Sequence, residues 1–511
     1  MLQTNGKTKI FELEELAVLL QGLRKKDKKV VLCHGVFDLL HIGHIRHFQQ
    51  AKEVGDILVV TVTPDKYVNK GAGRPAFPDS LRVEAIAALD CVDYVSINQW
   101  PMAVETIQLL RPDFYVKGPD YKEKVTDYTG GIGLEESAVR AIGGELVFTE
   151  DITFSSSTLI NRHLPVFSKE ISEYLKSFSS RHSAHDVLNY LKSIETLKVL
   201  VVGEAIIDEY QYCEAIGKSG KEPMLALRRL STEKFAGGIL AVGNNVASFC
   251  QEVGLLTLLG EENSQEDFIR EELNERVKSK FLFRAKAPTI VKRRFIEGYF
   301  FTKLMEIYEI NDGPMIESDN QALCQALSSE LPNYDVVIVV DFGHGMISKE
   351  MIEILCARSK FLVVNAQSNA GNLGFHTILR YPRADYACLT ENEMRLEARD
   401  RRGDLKKMVL EIAGKIGCNR VTVTRGNAGC LCYSKEEGFF EIPAFAGRVV
   451  DRMGAGDAFL SVTGPCVARN IPTEVVGFIG NVVGAQAVAT VGHRKPIERA
   501  PLFKHVEALL K

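Results

Sequence analysis

Two α/β domains, each built on a largely parallel sheet, are the fold this sequence predicts, and three observations predict it. The chain is 511 residues long, more than a single core of roughly 100–200 residues can use. Short apolar β-type runs alternate with helical patterns along most of it. Twice a run ends in a glycine turn, at His34-Gly35 and again at Gly203, and a fresh α/β pattern starts there. A strand, glycine turn, helix and strand in succession cannot be closed by a hairpin, so the strands pair in parallel across a crossover.

The first domain opens with the run Val30–Cys33, a helical pattern from His44 to Glu53 and a second buried run, Ile57–Val62. Runs at Tyr94–Ile97, Phe114–Val116 and Leu146–Phe148 continue it, separated by helical stretches at 80–88, 103–110 and 135–142, until about Arg162. Residues 163–196 are Ser-rich and amphipathic and read as a linker with a lead-in helix carrying Val187, Leu188, Leu191 and Ile194. At Val199–Val202 the second domain begins and runs to the end, giving domains at 1–162 and 197–511.

Composition narrows the function classes. With 46% hydrophobic and 25% charged residues the chain is globular, and 62 Lys+Arg against 66 Asp+Glu leave no global positive field for nucleic acid. Apolar runs such as Val336–Val340 fall far short of the ~18 residues of a membrane span. The start, Met1 to Lys7, shows no apolar signal region, so the cytoplasm is the expected compartment. Eleven cysteines without CxxC pairs, Cys430 and Cys432 among them, read as reduced, buried thiols.

The densest chemical signal is His34-Gly35-Val36-Phe37-Asp38-Leu39-Leu40-His41-Ile42-Gly43-His44 at a strand-to-helix junction. Amides at a helix start cradle phosphate oxygens, and His41 and His44, three apart, can face one anion together. A metal reading of the HxxH pair, extended by His47, wants a nearby third ligand and gives Gly35 and Asp38 no role. The segment resembles the GxFDxxHxGH signature of the cytidylyltransferase-like nucleotidyltransferases. Residues 109–121, with Arg111-Pro112-Asp113 and Val116-Lys117-Gly118, resemble that family's RPDxxVKGxDY stretch. Glu135, Gly143-Gly144-Glu145 and Ser155-Ser156-Ser157-Thr158 resemble its closing signature. The resemblance implies a Rossmann-like fold and in-line attack of a sugar or polyol phosphate on the α-phosphorus of ATP or CTP. His41 and His44 would stabilise the transition state, and Ser156, Ser157 and Thr158 would hold the β- and γ-phosphates. Gly35, Phe37 and Lys117 would shape the nucleotide pocket, with Lys70 and Arg82 as cationic partners; each of these two also fits a solvated position.

The second signal is Asp451-Arg452-Met453-Gly454-Ala455-Gly456-Asp457 ahead of an apolar helical pattern. Two glycines before a helix let several N–H groups converge on one phosphoryl group, and Asp457 is placed to take a proton from an attacking hydroxyl. This resembles the DxxGAGD signature of the ribokinase-like, pfkB-type carbohydrate kinases. Gly203-Glu204 with Asp208 resembles their opening motif, Gly237-Gly238 with Asn245 their GGxxxNxA motif with a longer spacing, and residues 341–345 their DYxxG turn. Thr424, Gly426 and Gly429 resemble their nucleotide loop. The resemblance implies an anion hole at Gly454, Ala455 and Gly456, a catalytic base at Asp457, and sugar contacts from Asp208, Gly238, Asn245 and Asp451. It also implies an indirect role for Glu393 toward Mg²⁺, and a small β lid near Tyr210–Phe235 that mediates homodimers in that family. Asn365 replaces the aspartate usual in such kinases, and Gln367, Asn369 and Asn372 either bind sugar hydroxyls or cap a loop. Lys292 and Arg294 share one strand face and either recognise a phosphate on the sugar or form a solvated edge.

Together the halves resemble the bifunctional heptose-phosphate kinase/heptose 1-phosphate adenylyltransferases in reversed order. That implies ATP-dependent phosphorylation of a sugar phosphate at the anomeric carbon, then nucleotidyl transfer from ATP or CTP to the sugar 1-phosphate. No DxDx[TV] phosphatase motif is present, so a separate phosphatase is implied between the steps. Two alternatives stand: a polyol-phosphate cytidylyltransferase fused to a kinase of another substrate, or a sensing fusion with one inactive domain.

Overall fold

A computed structural model describes residues 9–68, 74–118, 131–150, 167–311, 313–372 and 374–511. It divides into two compact units, Met1–Ser168 with Phe503–Lys511, and Lys169–Leu502. In the described residues no helix is long and apolar enough to cross a membrane.

The first unit holds α1 (Leu13–Arg24), β1 (Val30–Gly35), α2 (Ile42–Glu53), β2 (Ile57–Val62), α3 (Asp79–Ala87), β3 (Tyr94–Ile97), α4 (Val104–Leu110), β4 (Phe114–Lys117), α5 (Gly131–Ala141) and β5 (Glu145–Phe148). Its sheet has the order β3-β2-β1-β4-β5 and is parallel throughout. Val31, Cys33, Leu58 and Val60 fill one face and Val30, Leu32, Val59 and Tyr115 the other, which is why the strands read as continuous apolar runs. The strand order reverses between β1 and β4, so a crevice opens beyond their carboxyl ends.

The second unit begins with α6 (Lys169–Ser179) and α7 (Ala184–Ser193). The sequence suggests a linker up to 196, yet Phe178 is fully buried and stacks on Phe478 with centroids 4.3 Å apart. Arg181 donates to Glu474 at 2.7 Å. The serines around Phe178 mask a short apolar stripe made by Leu175 and Phe178, three apart on one helix face.

From β6 (Lys198–Gly203) the chain alternates through β7 (Ala205–Lys218), β8 (Leu225–Gly238), α8 (Ile239–Ala247), β9 (Glu252–Glu262), α9 (Glu266–Glu272), β10 (Val277–Pro288), β11 (Ile290–Glu297) and β12 (Thr302–Glu309). It continues with α10 (Glu317–Glu330), β13 (Val336–Asp341), α11 (Lys349–Arg358), β14 (Leu362–Ala366), β15 (Tyr386–Thr390), α12 (Glu391–Ala398), α13 (Leu405–Lys415), β16 (Arg420–Thr424), β17 (Cys430–Ser434) and β18 (Gly438–Ile442). Helices α14 (Ala455–Ala468) and α15 (Thr473–Ala487) follow, and α16 (Arg499–Leu510) is the last element.

The main sheet has nine strands, β10-β9-β6-β13-β14-β15-β16-β17-β18, with β17 and β18 antiparallel at one edge. A separate four-stranded sheet, β12-β11-β7-β8, forms the lid. It is wider than Tyr210–Phe235 alone, because β11 pairs in parallel with β7 and β12 returns antiparallel.

Removing the buried ring of Phe178 tests whether α6 is integral to the second unit's core. Phe178→Ala is expected to lower that unit's unfolding free energy by about 3–4 kcal/mol, read by urea denaturation of the full chain; a solvated linker helix would lose almost nothing.

Candidate active sites

In the first unit His41 is the N-cap of α2, and its Nδ1 accepts the Gly43 N–H at 3.1 Å. This bond fixes the ring so that it stacks on His44, centroids 3.9 Å apart at 24°. Burial holds the His41 imidazole below its usual pKa. Phe37 has a left-handed backbone (φ +48°) that turns its ring edge-on to His44 at 5.3 Å. A Cβ on Gly35 would meet that ring at 3.0 Å, so Gly35 makes room for Phe37.

His34 lies 3.0 Å from Thr61 Oγ1 through Nδ1 and 3.3 Å from Thr63 Oγ1 through Nε2, and burial pulls it down to about 4. His47 meets Thr149 Oγ1 at 3.0 Å and is also pulled to about 4 by burial, with Lys117 adding to it. Lys117, at the carboxyl end of β4, pairs with buried Glu135 at 2.9 Å. Burial works against the Glu135 charge, but Lys117 keeps this carboxyl below its ordinary range.

Arg82, expected as a phosphate partner, is instead a buried clamp. Its Nε donates to Phe77 O at 2.9 Å, Nη1 to Val36 O, and Nη2 to Thr63 O at 2.9 Å and Asp65 at 2.5 Å. A helix position looks solvated in sequence, but here the guanidinium gathers carbonyls left over where β1 and β2 end. Asp38 accepts the Ala76 N–H at 2.5 Å and lies 3.6 Å from Arg74, pinning the same loop. Lys70, Ser156, Ser157 and Thr158 lie outside the described residues.

In the second unit Gly454 caps α14 in the left-handed region (φ +75°). The helix's first amides, at Ala455, Gly456 and Asp457, lie where a helix start leaves N–H groups without intrahelical acceptors. Asp457 is buried in that first turn and accepts Gln367 Nε2 at 2.8 Å. Burial raises its pKa, while His493 works in the opposite direction. Asp208, buried on lid strand β7, pairs with Arg294 and lies 3.5 Å from His493 Nε2. Arg294 also meets Glu306 at 2.6 Å. Lys292 is buried with its ammonium 4.9 Å from the Tyr308 ring and 5.5 Å from Phe342, and burial lowers its pKa. A solvated edge is therefore not what Lys292 and Arg294 form.

Three other expected sugar contacts are engaged elsewhere. Asp451 accepts Tyr210 Oη at 2.7 Å, Lys303 Nζ at 2.6 Å, and the Met453 and Gly492 amides at 3.1 and 3.0 Å. Asn245 accepts the Ile497 N–H at 2.8 Å. Gly238 takes φ +55° where a Cβ would meet Glu204 O at 2.7 Å. Asn369 and Asn372 cap their own loop, both donating to Phe342 O.

At the nucleotide-loop end, Thr424 closes β16 and Gly426 and Gly429 both have positive φ; a Cβ on Gly429 would overlap Ile442 O. Glu393 caps α12 in a box with Thr390 and also accepts the Ser368 N–H at 3.0 Å. Burial raises its pKa.

Residues 196–500 match the family model described as pfkB family carbohydrate kinase. The chain belongs to the pfkB family of carbohydrate kinases. Upstream, residues 32–163 match the cytidylyltransferase-like model. The chain is 38% identical over 154 residues to the bifunctional protein HldE of Desulfatibacillum aliphaticivorans, covering 30% of each chain. It is 42% identical over 117 residues to that of a Nitratiruptor species, covering 22% of this chain and 25% of the relative. The match thus spans less than a third of either relative. Phosphofructokinase-2 from Escherichia coli, solved in complex with potassium, shares the fold over 62% of this chain and 100% of its own, at 14% identity and a TM-score of 0.50.

Within the pfkB unit, sequence reading missed His493 and Lys303, and it read Glu204 and Asp341 in separate motifs without bringing them together. Glu204 accepts the amides of Phe342, His344 and Met346 at 3.0, 3.1 and 3.4 Å. Asp341 accepts Arg380 Nη1 at 3.0 Å and Tyr381 Oη at 2.9 Å. A glutamate directly after Gly203 was a visible signal; His493 follows no motif.

Two outcomes follow from these buried charges. Arg82→Ala, and equally Arg82→Lys, which lacks the planar fork, are expected to destabilise the first unit by about 3 kcal/mol, read by hydrogen exchange of β1 and β2. Burial, with Asp341 facing it, pushes Glu204 up from 4.5 to about 7. Between those values the folded state holds a proton that the unfolded chain releases, so the pfkB unit loses stability as pH rises from 4.5 to 7. Glu204→Gln is expected to flatten that slope in urea titrations.

Proposed function

We propose that the chain is a bifunctional transferase of nucleotide-sugar synthesis. The observation that carries this reading is the pairing, in one chain, of two phosphate-directed helix starts: stacked His41 and His44 on α2, and buried Asp457 behind Gly454 on α14.

In the kinase step a sugar hydroxyl, at the anomeric carbon, gives its proton to Asp457 as its oxygen attacks the γ-phosphorus of ATP. The bond to the β,γ-bridging oxygen breaks and ADP leaves. Amides of Ala455, Gly456 and Asp457 take the charge on the phosphoryl oxygens, and Gln367 orients the base. Asp208 holds sugar hydroxyls. Lys292 and Arg294, beside it, recognise a phosphate already on the sugar, as in a heptose 7-phosphate. Thr424, Gly426 and Gly429 bound the nucleotide. Asp451, Asn245 and Gly238 support this constellation from behind. Bound Mg²⁺ would neutralise the β- and γ-phosphates. Both Glu393 oxygens already accept amides, from Ser368 and Thr390, which fits a contact to the ion through water.

In the transferase step an oxygen of the sugar 1-phosphate attacks the α-phosphorus of ATP or CTP and pyrophosphate leaves. His41 and His44 stabilise the charge gained by the phosphate oxygens. Lys117, held by Glu135, lines the nucleotide side, and Lys70, Ser156, Ser157 and Thr158 complete the phosphate contacts. A separate phosphatase supplies the second substrate. The cytoplasm suits reduced thiols, and all eleven cysteines are free. The edge strand β12 of the lid exposes Leu304, Met305 and Ile307, apolar side chains suited to a homodimer.

A matrix of sugar phosphates against ATP and CTP, read by product mass, tests this directly. Asp457→Asn is expected to cut sugar phosphorylation at least about 10²-fold while sparing pyrophosphate release, and His44→Ala to do the reverse. Retention of both activities by both variants would remove the assignments.

A further inference from the structure

Glu204 is a buried carboxylate that the steps above leave without a role. It stands between β6 and lid strand β7, and both of its oxygens accept amides of one turn. Oε2 takes that of Phe342 at 3.0 Å, and Oε1 takes those of His344 and Met346 at 3.1 and 3.4 Å. The Phe342 carbonyl is held from the other side by Asn369 and Asn372 at 2.7 and 2.9 Å, and Asp341 accepts the Gly343 amide at 3.0 Å. A carboxylate that takes three amides fixes the backbone of the turn, because losing it leaves buried N–H groups without an acceptor.

Two side chains of this turn lead to Lys292. The Phe342 ring lies 5.5 Å from the Lys292 ammonium. His344 meets the Tyr308 ring edge-on, centroids 6.2 Å apart at 85°. Tyr308, cross-strand from Lys292 on β12, is the second ring at the ammonium, 4.9 Å away. Both rings beside Lys292 therefore trace back to amides held by Glu204. A lysine stem is flexible, so the rings that flank it decide where its charge points. Arg294 needs no such seat, being fixed by Asp208 and Glu306.

We propose that Glu204 is a positioning residue for substrate selection: by holding the Phe342–Met346 turn it sets the two rings that aim Lys292 at a phosphate already on the sugar. This rests on the reading of Lys292 as a contact to that phosphate. The test measures kcat and KM of the full chain for heptose 7-phosphate, for the same heptose without its phosphate, and for ATP. It is run at pH 8, above the value of about 7 to which burial pushes Glu204, so that the carboxylate is ionised. A partly misfolded preparation lowers apparent kcat and leaves KM where it was, so the kinase is its own folding control. Glu204→Gln, with one acceptor oxygen in place of two, is expected to raise KM for heptose 7-phosphate about tenfold and to leave KM for ATP and for free heptose in place. Phe342→Leu, which keeps the carboxylate but removes the ring, is expected to do the same. Lys292→Met is expected to raise that KM at least as far, and adding Glu204→Gln to it to change nothing more.

An unchanged KM for heptose 7-phosphate in Glu204→Gln, a rise that free heptose shares, or a rise that Phe342→Leu does not reproduce overturns the inference and leaves the kinase reading standing. So do effects of Glu204→Gln and Lys292→Met that add in the double variant. A wild type that takes free heptose as readily as heptose 7-phosphate removes the phosphate contact of Lys292 and this inference with it. A wild type that phosphorylates neither removes the heptose reading of the kinase.

Discussion

The pfkB unit turns on one buried carboxylate, Asp451. Its two oxygens collect the Tyr210 hydroxyl and the Lys303 ammonium from the lid, the Met453 amide from the anion turn and the Gly492 amide from the segment after α15. Removing it would strand these donors away from water at a cost that a neutral side chain does not recover. Three segments are registered through this joint: Gly454 follows it by three residues, His493 comes directly after Gly492, and Asp208 lies on the strand that carries Tyr210. A residue that looks like a sugar ligand in a DxxGAGD string thus has both oxygens already engaged by the protein.

A second constraint is charge. The chain carries a net -4, yet both proposed sites take polyanions. The cations that line them are matched internally, Lys117 by Glu135, Arg294 by Asp208 and Glu306, and Lys303 by Asp451. Lys292 rests on two aromatic faces instead, an arrangement that tolerates the cation with little of the neutralisation a carboxylate brings. A phosphate arriving there would meet a charge not already spent. Helix N-termini supply the rest, so a basic surface is unnecessary.

How far the sequence could be read follows from what kind of information each feature needs. Val199–Val202 and Val336–Val340 are legible because strands covered on both faces are continuously apolar. The histidine and glycine motifs are legible because their chemistry is local. The burial of Arg82 was not legible because its partners, the carbonyls of Val36, Thr63 and Phe77, come from separate loops that only the sheet brings together. The burial of Lys292 and Arg294 depends on cross-strand neighbours that the sequence does not place beside them, Tyr308 and Glu306 of β12, and on Phe342. The helix at Lys169–Ser179 hid behind serines, since its apolar stripe is only two residues deep.

The same reasoning explains why Gly454 admits no other residue. Its φ of +75° already strains a side chain, and the space a Cβ would take belongs to the His493 ring. Backbone freedom and imidazole placement are therefore a single requirement. A larger residue at 454 would have to displace the ring that lies 3.5 Å from Asp208. The start of α14 and Asp208 are thus linked through one glycine and one histidine that share the same volume.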